Sequence, residues 1–573
     1  MPKTVSLAHY VFSRLRQVNC HSLHGVPGDF FLRALDHIRP AGMQWIGNSN
    51  ELNAGYAADG YARALYGTSC RGVGALMTTY GVGELSAINA VAGSYAERTP
   101  VLHLVGTPAR KLWRENALIH HTPGDGRMGI YAEMAEKITC AQADLTDVRT
   151  APRLYDRALE QCVLQSKPVY IQLPSDMIEA AVPAEMLDEP LSLDPPANDD
   201  RLEMEIVDEL LQHMHVAERP LILADGLSYP LDLAPEVNKL LELTGFPAMS
   251  FTSGKGIINE ASPERPTANW YGSLSSPTDY TSSADLVLMF GPVLSDTNTA
   301  GWSAVPDPSV TVSFNFDTVV VLGKQHKLNS KELLQSLISR LQEAKKSFDL
   351  TSTKPPELSP KKAVASSQAA IDQDGFWATM ATHVQSHDTL IFANGTPLIG
   401  SRDMHFPCNV NIIASPLWCS IGQMLPAAQG VALAKRDHNL PGRTMLFEGD
   451  GSFQVTCQAL SDIIRYRLDV TIYLVNNYGY TYERWLNGMD AEYNAVPSWR
   501  YTEAASFMGA PKDRSYPVFT RKVRTWQQLN DVLDDERSSN GRGLKLIEVV
   551  MAPDDVPERS KPGLLRGSAA LRS

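Results

Sequence analysis

The chain lacks the features that mark membrane proteins, disulfide-bonded proteins and nucleic-acid-binding proteins. Its 573 residues contain no apolar run of about 20 residues, the length that a membrane-spanning helix needs. The seven cysteines are scattered without any C-x-x-C, which indicates a reducing compartment. A net charge of −13 argues against nucleic acid or an anionic membrane as a partner. Charged residues interrupt the apolar pattern of residues 1–17, so we expect no signal peptide and a cytoplasmic location.

What is present is a composition suited to a large enzyme with several cores. The 43% hydrophobic content and the length fit about three or four domains. Two proline-rich stretches, residues 188–201 and 349–362, are interpreted as linkers. The predicted domains are therefore residues 1–187, 202–348 and 363–573. Each block alternates short apolar strands with helical segments, which predicts an α/β fold of three open, mainly parallel sheets of similar size.

The third block carries an informative pair of polar residues. Asp450 lies in a Gly-Asp-Gly-Ser sequence after a predicted strand at 444–447, and Asn477 follows another predicted strand at 470–475. A predicted helix over 452–467 connects them, so both side chains fall at the carboxyl edge of a parallel sheet, where ligands bind. Either short sequence alone is more often a turn. Their 27-residue separation across one strand-helix-strand unit instead predicts a divalent cation bound to a diphosphate.

The first block offers candidate acids and imidazoles. Asp29 ends a His-Gly-Val-Pro-Gly-Asp sequence, and Glu51 begins a helix whose Gly and Ala residues allow another backbone to approach closely. Alone, Glu51 reads as a charge that complements the helix dipole. His120 and His121 precede Thr-Pro-Gly in a loop, where both can turn into one site. The G-x-G-x-x-G at 124–129 lacks the strand and helix of a dinucleotide site, so we reject nicotinamide binding.

Together these motifs resemble those of the thiamine-diphosphate-dependent 2-oxo-acid decarboxylases, the family of pyruvate and indolepyruvate decarboxylases. The resemblance extends to a Trp-Cys-Ser-Ile-Gly segment at 418–422 and to Glu483, six residues after Asn477. It implies pyrimidine-binding and diphosphate-binding domains that flank a middle domain. It also implies non-oxidative decarboxylation of pyruvate or a related oxo acid to an aldehyde and carbon dioxide, through a thiamine-bound enamine. A carboligase that forms acyloins and a catalytically silent regulatory relative are the alternatives.

The resemblance also assigns roles to residues. Glu51 would activate the thiamine diphosphate, and Asp29, His120, His121 and Glu483 would exchange protons with the reacting groups. The remaining cofactor contacts would be Cys419, Ile421, Asp450, Gly451, Ser452 and Asn477. Mg²⁺ would bind Asp450, Asn477 and the carbonyl of Gly479. The substrate pocket would contain Asn394, Leu398, Tyr482 and Leu486.

Assembly and specificity are further implications of the family. A homodimer or homotetramer is expected, because the family builds each site from the glutamate-bearing block of one subunit and the diphosphate-bearing block of another. Cys419 stands where relatives often have glycine, a tolerable change because the family contact there is a backbone carbonyl. The sequence around Asn394 departs from the family pattern, which argues against a strict pyruvate specialist. Tyr482 either confines the pocket to small acids or stacks on an aromatic substrate. Pro562 and Gly563 interrupt the closing segment.

Overall fold

The computed structural model describes residues 3–260, 279–344, 368–513, 515–535 and 541–572. Within them lie three six-stranded sheets, one in each third of the chain, and one two-stranded sheet. The longer central strands of the first and third sheets are buried along their whole length, as expected for parallel strands covered on both faces. This architecture confirms the expected class of three mainly parallel α/β sheets.

The first sheet is entirely parallel and has the strand order β3-β2-β4-β5-β7-β6, while β1 and β8 form the two-stranded antiparallel sheet. The strands of the first block are β1 Thr4–Ser6, β2 Ser22–Gly25, β3 Gln44–Gly47, β4 Gly74–Thr79, β5 Val101–Thr107, β6 Ala141–Asp144, β7 Val169–Pro174 and β8 Ala181–Pro183. Its helices are α1 Leu7–Gln17, α2 Leu32–Leu35, α3 Glu51–Ala64, α4 Val82–Ala96, α5 Arg110–Arg114, α6 Ile130–Glu136 and α7 Ala151–Gln165.

The middle sheet has the order β10-β9-β11-β12-β13-β14, and its last two strands run antiparallel to their neighbours. Its strands are β9 Pro220–Ala224, β10 Ala248–Ser250, β11 Leu286–Phe290, β12 Thr311–Phe314, β13 Val319–Val321 and β14 Lys324–His326. Its helices are α8 Asp200–Val216, α9 Ala234–Thr244, α10 Asp279–Ser282 and α11 Ser330–Ala344.

The third sheet is parallel throughout, with the order β16-β15-β17-β18-β20-β19. Its strands are β15 Thr389–Phe392, β16 Asn411–Ile413, β17 Thr444–Gly449, β18 Val470–Asn476, β19 Val518–Val523 and β20 Leu544–Val550. Its helices are α12 Gln373–His383, α13 Thr396–Gly400, α14 Met424–His438, α15 Asp450–Thr456, α16 Ala459–Arg465, α17 Thr481–Leu486, α18 Ala504–Phe507, α19 Trp526–Asp534 and α20 Lys561–Arg572.

The strand-helix-strand unit of the third block differs from its prediction in one respect. β17 and β18 are adjacent parallel strands, as predicted. The single helix expected over 452–467 is instead two helices, α15 and α16, so that expectation was wrong. The break follows Thr456, whose hydroxyl donates to the carbonyl of Gly422 at 2.7 Å. Helical periodicity continues across the break, and the sequence therefore concealed it.

The linkers and domain limits have a mixed outcome. The stretch 188–201 runs from the end of a 3₁₀ helix, Ala184–Asp188, into the start of α8. The other linker, 349–362, lies outside the described residues. The domain limits at 187, 202, 348 and 363 therefore stay a prediction.

The first and third blocks touch through α3 and α14 at very short range. A β-carbon at Gly60 would lie 2.2 Å from the carbonyl oxygen of Ala427, and one at Gly430 would lie 1.8 Å from that of Ala57. Any side chain at either glycine would collide with backbone. The small residues of α3 thus serve the close backbone approach expected of them, and this contact fixes the position of Glu51 at the start of α3.

Candidate active site

A cavity of about 420 Å³ lies at the carboxyl edge of the third sheet, where β17 and β18 end. In open parallel sheets this edge is the usual ligand site. Every site residue that the sequence analysis took from the third block lines this cavity: Asn394, Leu398, Cys419, Ile421, Asp450, Gly451, Ser452, Asn477, Gly479, Tyr482, Glu483 and Leu486. Residues nearly a hundred positions apart are therefore brought together by the fold.

Asp450 is the first residue of α15 and is almost fully buried. Its Oδ1 accepts a hydrogen bond from the amide of Gly451 (2.8 Å) and its Oδ2 accepts one from the amide of Gly479 (3.0 Å). Burial raises the pKa of this carboxyl group to about 6, because the charged form loses hydration. A carboxylate, the nearby buried amide of Asn477 and a backbone carbonyl form the oxygen donor set that Mg²⁺ prefers. These residues fit the expected cation.

Two glycines keep this wall of the cavity free of side chains. A β-carbon at Gly451 would lie 2.6 Å from the ring of Tyr480. Gly479 has a φ of +130°, and a β-carbon there would lie 2.1 Å from the carbonyl oxygen of Asn494. The chain can follow this path only with glycine at position 479. The open wall beside Asp450 fits a diphosphate group.

The Trp-Cys-Ser-Ile-Gly segment at 418–422, which is expected to contact the cofactor, is held by the first block of the same chain. The Glu97 carboxylate accepts hydrogen bonds from the amides of Leu417 and Trp418, both at 3.0 Å. The indole of Trp418 donates to Asn89 on α4, also at 3.0 Å. These three bonds fix the residues that precede Cys419.

Cys419, Asn394 and Ile421 continue this wall. Cys419 has a φ of +52°, the left-handed region that favours glycine, and its thiol donates to the carbonyl of Pro416 at 3.2 Å. The Asn394 amide donates to the carbonyl of Ser420 at 3.2 Å. Ile421 lines the cavity and keeps 39% of its surface exposed. It is therefore available to pack against a ligand, as expected of a cofactor contact.

The closing helix reaches the cavity as well. α20 begins at Lys561, so Pro562 occupies the first turn, where its missing N–H costs nothing. Gly563 and Leu564 line the cavity. The interruption predicted from Pro562 and Gly563 is therefore a helix start that covers part of the site.

Two groups of lining residues were missed by the sequence reasoning. Arg402 belongs to no motif, yet its buried side chain lines the cavity and donates to the carbonyl of Thr297 at 3.1 Å. Asp296, Thr297, Ala300 and Gly301 come from the loop after β11 in the middle block. Their contribution depends on how the blocks pack together, and no local pattern in the sequence signals it.

A buried carboxylate holds that middle-block loop in place. Asp225, at the end of β9, is fully buried and accepts hydrogen bonds from the amide of Val293 (2.6 Å) and from Asn298 Nδ2 (2.9 and 3.0 Å). The hydroxyl of Ser253 also donates to it. Burial raises the pKa of Asp225 to about 6. These bonds anchor the loop on both sides of Asp296.

The acids and imidazoles of the first block form a separate cluster. Nε2 of His120 lies 2.8 Å from Oδ2 of Asp29, and the His120 ring stacks on Phe30 with centroids 4.9 Å apart. The potential ligand atoms of Asp29, His120 and His121 lie within 4.8 Å of one another. The side chains of Asp29 and His120 are each 55% exposed, so one chain alone leaves this cluster open to water.

Glu51 occupies the predicted place at the start of α3. Asn50 caps this helix by accepting a hydrogen bond from the amide of Asn53 at 2.8 Å. The Glu51 carboxyl group is half-buried, and burial raises its pKa. It lies beside the start of α4, where a β-carbon at Gly83 would be 3.1 Å from Oε1 of Glu51.

The predicted residues thus fall into two groups within one chain. Among the described residues, the cavity of the third block is not lined by Glu51, Asp29, His120 or His121. Glu483 lines that cavity, apart from the acids and imidazoles with which it was expected to share protons. In addition, no helix in the described part of the chain is long and apolar enough to cross a membrane.

Comparisons with known proteins agree with the three-block fold. Residues 5–126, 207–337 and 398–549 match the family models of the thiamine pyrophosphate enzymes for the N-terminal TPP binding domain, the central domain and the C-terminal TPP binding domain. A solved structure of benzoylformate decarboxylase from Polynucleobacter necessarius is similar with a TM-score of 0.78 and 16% identity, covering 96% of this chain and all of that chain. This likeness supports the fold.

Curated relatives match over nearly the whole length. The chain is 40% identical over 572 residues to a pyruvate decarboxylase of Aspergillus parasiticus, covering 97% of this chain and 96% of that protein. It is 36% identical over 558 residues to pyruvate decarboxylase isozyme 1 of Saccharomyces cerevisiae, covering 97% of each. The chain therefore belongs to the pyruvate decarboxylase family of thiamine pyrophosphate enzymes, and the family, the cofactor and the class of reaction expected from the sequence are confirmed.

Proposed function

We propose that the chain decarboxylates pyruvate or a related 2-oxo acid to an aldehyde and carbon dioxide, at sites that each need two chains. The observation that carries the proposal is the cavity of the third block. It combines an oxygen donor set, a wall without side chains for a diphosphate and a carboxylate, Glu483, next to a pocket for a small acid. The family relatives named above support the reaction.

Bound thiamine pyrophosphate supplies the carbon nucleophile that adds to the oxo group and the electron sink that accepts the electrons left by carbon dioxide. Asp450, Asn477 and the carbonyl of Gly479 would hold Mg²⁺ on the diphosphate. Ile421 and the backbone of Cys419 would hold and orient the pyrimidine end of the cofactor, and orientation of this kind supplies several kcal/mol of the barrier reduction. Gly451 and Ser452 would contact the diphosphate.

The second chain contributes the acid that activates the cofactor. Glu51 lies at the start of α3 beside Gly83 of α4, and Val82 and Leu85 of the same helix are 52% and 39% exposed. In the third block, Ile421 lines the cavity and is 39% exposed, and Val455, which lies beside Gly422, is 47% exposed. Burying these apolar surfaces against each other favours a dimer. We therefore propose that Glu51 of one copy faces the cavity of another, within a homodimer or a homotetramer.

Proton transfer follows from the same assembly. Asp29 and His120 already share a hydrogen bond of 2.8 Å, and His121 lies beside them. When a partner chain covers this exposed cluster, the cluster faces Glu483 of that partner and can deliver the proton that the product aldehyde needs. Covering it also removes water, which strengthens the electrostatic interactions among these groups. We further propose the domain limits given above and a cytoplasmic location.

The test is a panel of 2-oxo acids incubated with the protein, Mg²⁺ and thiamine pyrophosphate. We expect release of carbon dioxide together with free aldehyde. Glu51→Gln keeps the size of the side chain but not the acid, and it should lower turnover by about 100-fold or more. Exposed Glu503→Gln is the control and should keep wild-type turnover. Unchanged turnover in Glu51→Gln would contradict the activation step, and acyloin as the main product would show a carboligase.

A further inference from the structure

We propose that Asp462 is a positioning residue for the reaction, because it holds the segment that leads into Glu51. Asp462 lies on α16 in the third block, whereas Glu51 begins α3 in the first block of the same chain. This inference rests on the proposed function, since it takes Glu51 as the acid that activates the cofactor. Asp462 belongs to none of the motifs that the sequence analysis used.

The Asp462 carboxylate joins the two blocks through both of its oxygen atoms. Its Oδ2 accepts a hydrogen bond from the amide of Ser49 at 3.2 Å, and its Oδ1 accepts one from the Ser49 hydroxyl at 3.0 Å. Oδ2 also accepts a longer bond from Nδ2 of Asn48 at 3.4 Å. Hydrogen bonds to an ionised carboxylate are stronger than bonds between neutral groups. One side chain of the third block therefore fixes the two residues just before the cap of α3.

The surroundings make this carboxylate a firm support. Asp462 is 4% exposed and Asn48 is 9% exposed. The Asn48 side chain is fixed in turn, because its Nδ2 donates to Oε1 of Gln429 at 2.9 Å and its Oδ1 accepts from the amide of Gly25 at 3.3 Å. Burial raises the pKa of Asp462, and the hydrogen bonds from Ser49 and Asn48 oppose that rise. Loss of the carboxylate would therefore take an acceptor from both residues.

A second residue of α16 holds the same segment. Tyr466 follows Asp462 by one helical turn, so the two side chains lie on one face of the helix. The Tyr466 hydroxyl accepts a hydrogen bond from the amide of Gly47 at 2.7 Å. Residues 47–49, which connect β3 to α3, are thus bound to α16 at both ends. Because the first residue of α3 is Glu51, a shift of this connection moves its carboxyl group.

The ordinary alternative is that Asp462 only complements the dipole of α16, because it lies in the first turn of that helix. A dipole partner needs a charge, whereas the observed contacts need two polar atoms directed at one serine. The two roles differ in what they predict for Asp462→Asn. Asparagine loses the charge, yet it can accept a hydrogen bond from the Ser49 amide and donate one to the Ser49 hydroxyl.

The first measurement is the rate at which the C2 proton of bound thiamine pyrophosphate exchanges with D₂O, because this rate reports activation of the cofactor alone. We expect Asp462→Ala to lower it by about tenfold or more, with the affinity for Mg²⁺ and thiamine pyrophosphate within about twofold of the wild type. Asp462→Asn should stay within about threefold of the wild-type rate. Exposed Asp531→Ala on α19 is the control and should exchange as the wild type. A wild-type rate in Asp462→Ala, or an equal loss in Asp462→Asn, overturns the inference.

Mixed dimers test which part of the site Asp462 supports. In the proposed dimer Glu51 of each chain serves the cavity of the other, so the loss in Asp462→Ala falls on the partner's cavity. Asp462→Ala and Asp450→Asn chains, mixed equally and reassembled, should reach about one quarter of the wild-type turnover, because half of the random dimers regain one intact site. Asp462→Ala mixed with Glu51→Gln should reach only about one twentieth. The reverse order would show that Asp462 supports its own cavity and would overturn the inference.

A reference mixture of Glu51→Gln and Asp450→Asn separates failure of the proposed function from failure of this inference. If that mixture stays inactive, the two-chain site is wrong, and the exchange rate alone decides the role of Asp462. If it regains activity while Asp462→Ala exchanges as the wild type, only the role of Asp462 is refuted. If Asp462→Ala does not fold, Ser49→Ala replaces it. This variant removes the hydroxyl bond from an exposed residue and should lower the exchange rate by about twofold or more, and a wild-type rate there overturns the inference.

Discussion

The contact between α3 and α14 can be tested by adding one methyl group at Gly430. In Gly430→Ala the new β-carbon would lie 1.8 Å from the carbonyl oxygen of Ala57, 2.7 Å from its carbonyl carbon and 2.8 Å from the amide nitrogen of Tyr61. All three atoms belong to the backbone, so no side-chain rotation relieves the overlap. The two helices must separate, and overpacking of this kind costs about 1–3 kcal/mol.

This cost converts into a measurable shift of the melting temperature. A block of this size loses about 2–4 °C for each kcal/mol, so we expect Gly430→Ala to melt about 2–12 °C below the wild type. Thermal unfolding followed by circular dichroism at one protein concentration is the assay. Because α3 carries Glu51, displacement of the helix should also lower kcat/KM for pyruvate by about tenfold or more.

A matched glycine provides the control. Gly129 has a φ of −87°, and the nearest atom to a β-carbon there, Oε1 of Glu133, is 3.9 Å away. Gly129→Ala should change the stability by less than about 1 kcal/mol in either direction. A melting temperature of Gly430→Ala within about 1 °C of the wild type, or an equal loss in both variants, would refute the close approach of the two helices.

Two further predictions concern the assembly and the pH dependence. Glu51→Gln and Asp450→Asn chains, each inactive alone, should regain about one quarter of the wild-type activity when they are mixed equally and reassembled. The reason is that half of the random dimers then contain one intact site. A mixture that stays inactive would place each site within one chain. Burial lowers the pKa of His24 to about 3, so the neutral side chain contributes stability that is lost as the pH falls below about 6.5, by about 2 kcal/mol at pH 5. Between pH 7 and pH 5 the melting temperature of His24→Leu should therefore fall by less than that of the wild type. The exposed control His387→Gln should behave as the wild type. Equal decreases in wild type and His24→Leu would contradict this reasoning.

Much of the third block could be predicted from the sequence, because its signals are local. Asp450 and Asn477 follow strands that sit side by side in one parallel sheet, and the spacing alone placed them at one edge. The same reasoning placed Glu51 at a helix start in the first block. A motif read along one chain, however, gives no information about a second copy. The prediction of the shared site therefore came from the family resemblance.

Residues outside motifs were inaccessible to the same reasoning. Arg402 and the loop that carries Asp296 reach the cavity only because the middle and third blocks pack against each other. The break after Thr456 was missed for a related reason, since the hydrogen bond to Gly422 is a tertiary contact that helical periodicity does not reveal. Local pattern thus predicted the strands β17 and β18 that carry Asp450 and Asn477 at their ends, whereas contacts between distant segments decided the helix break and the final wall of the site.

The anchoring of the middle-block loop by Asp225 has a consequence for how specificity evolves. The loop forms one side of the cavity, yet its shape depends on a carboxylate at the end of β9, far in sequence from every motif. Substitutions around Asp225 can therefore reshape the cavity while all the motif residues stay the same. Two members of the family with the same motif residues need not accept the same oxo acid, and a search for altered substrate range should include the middle block.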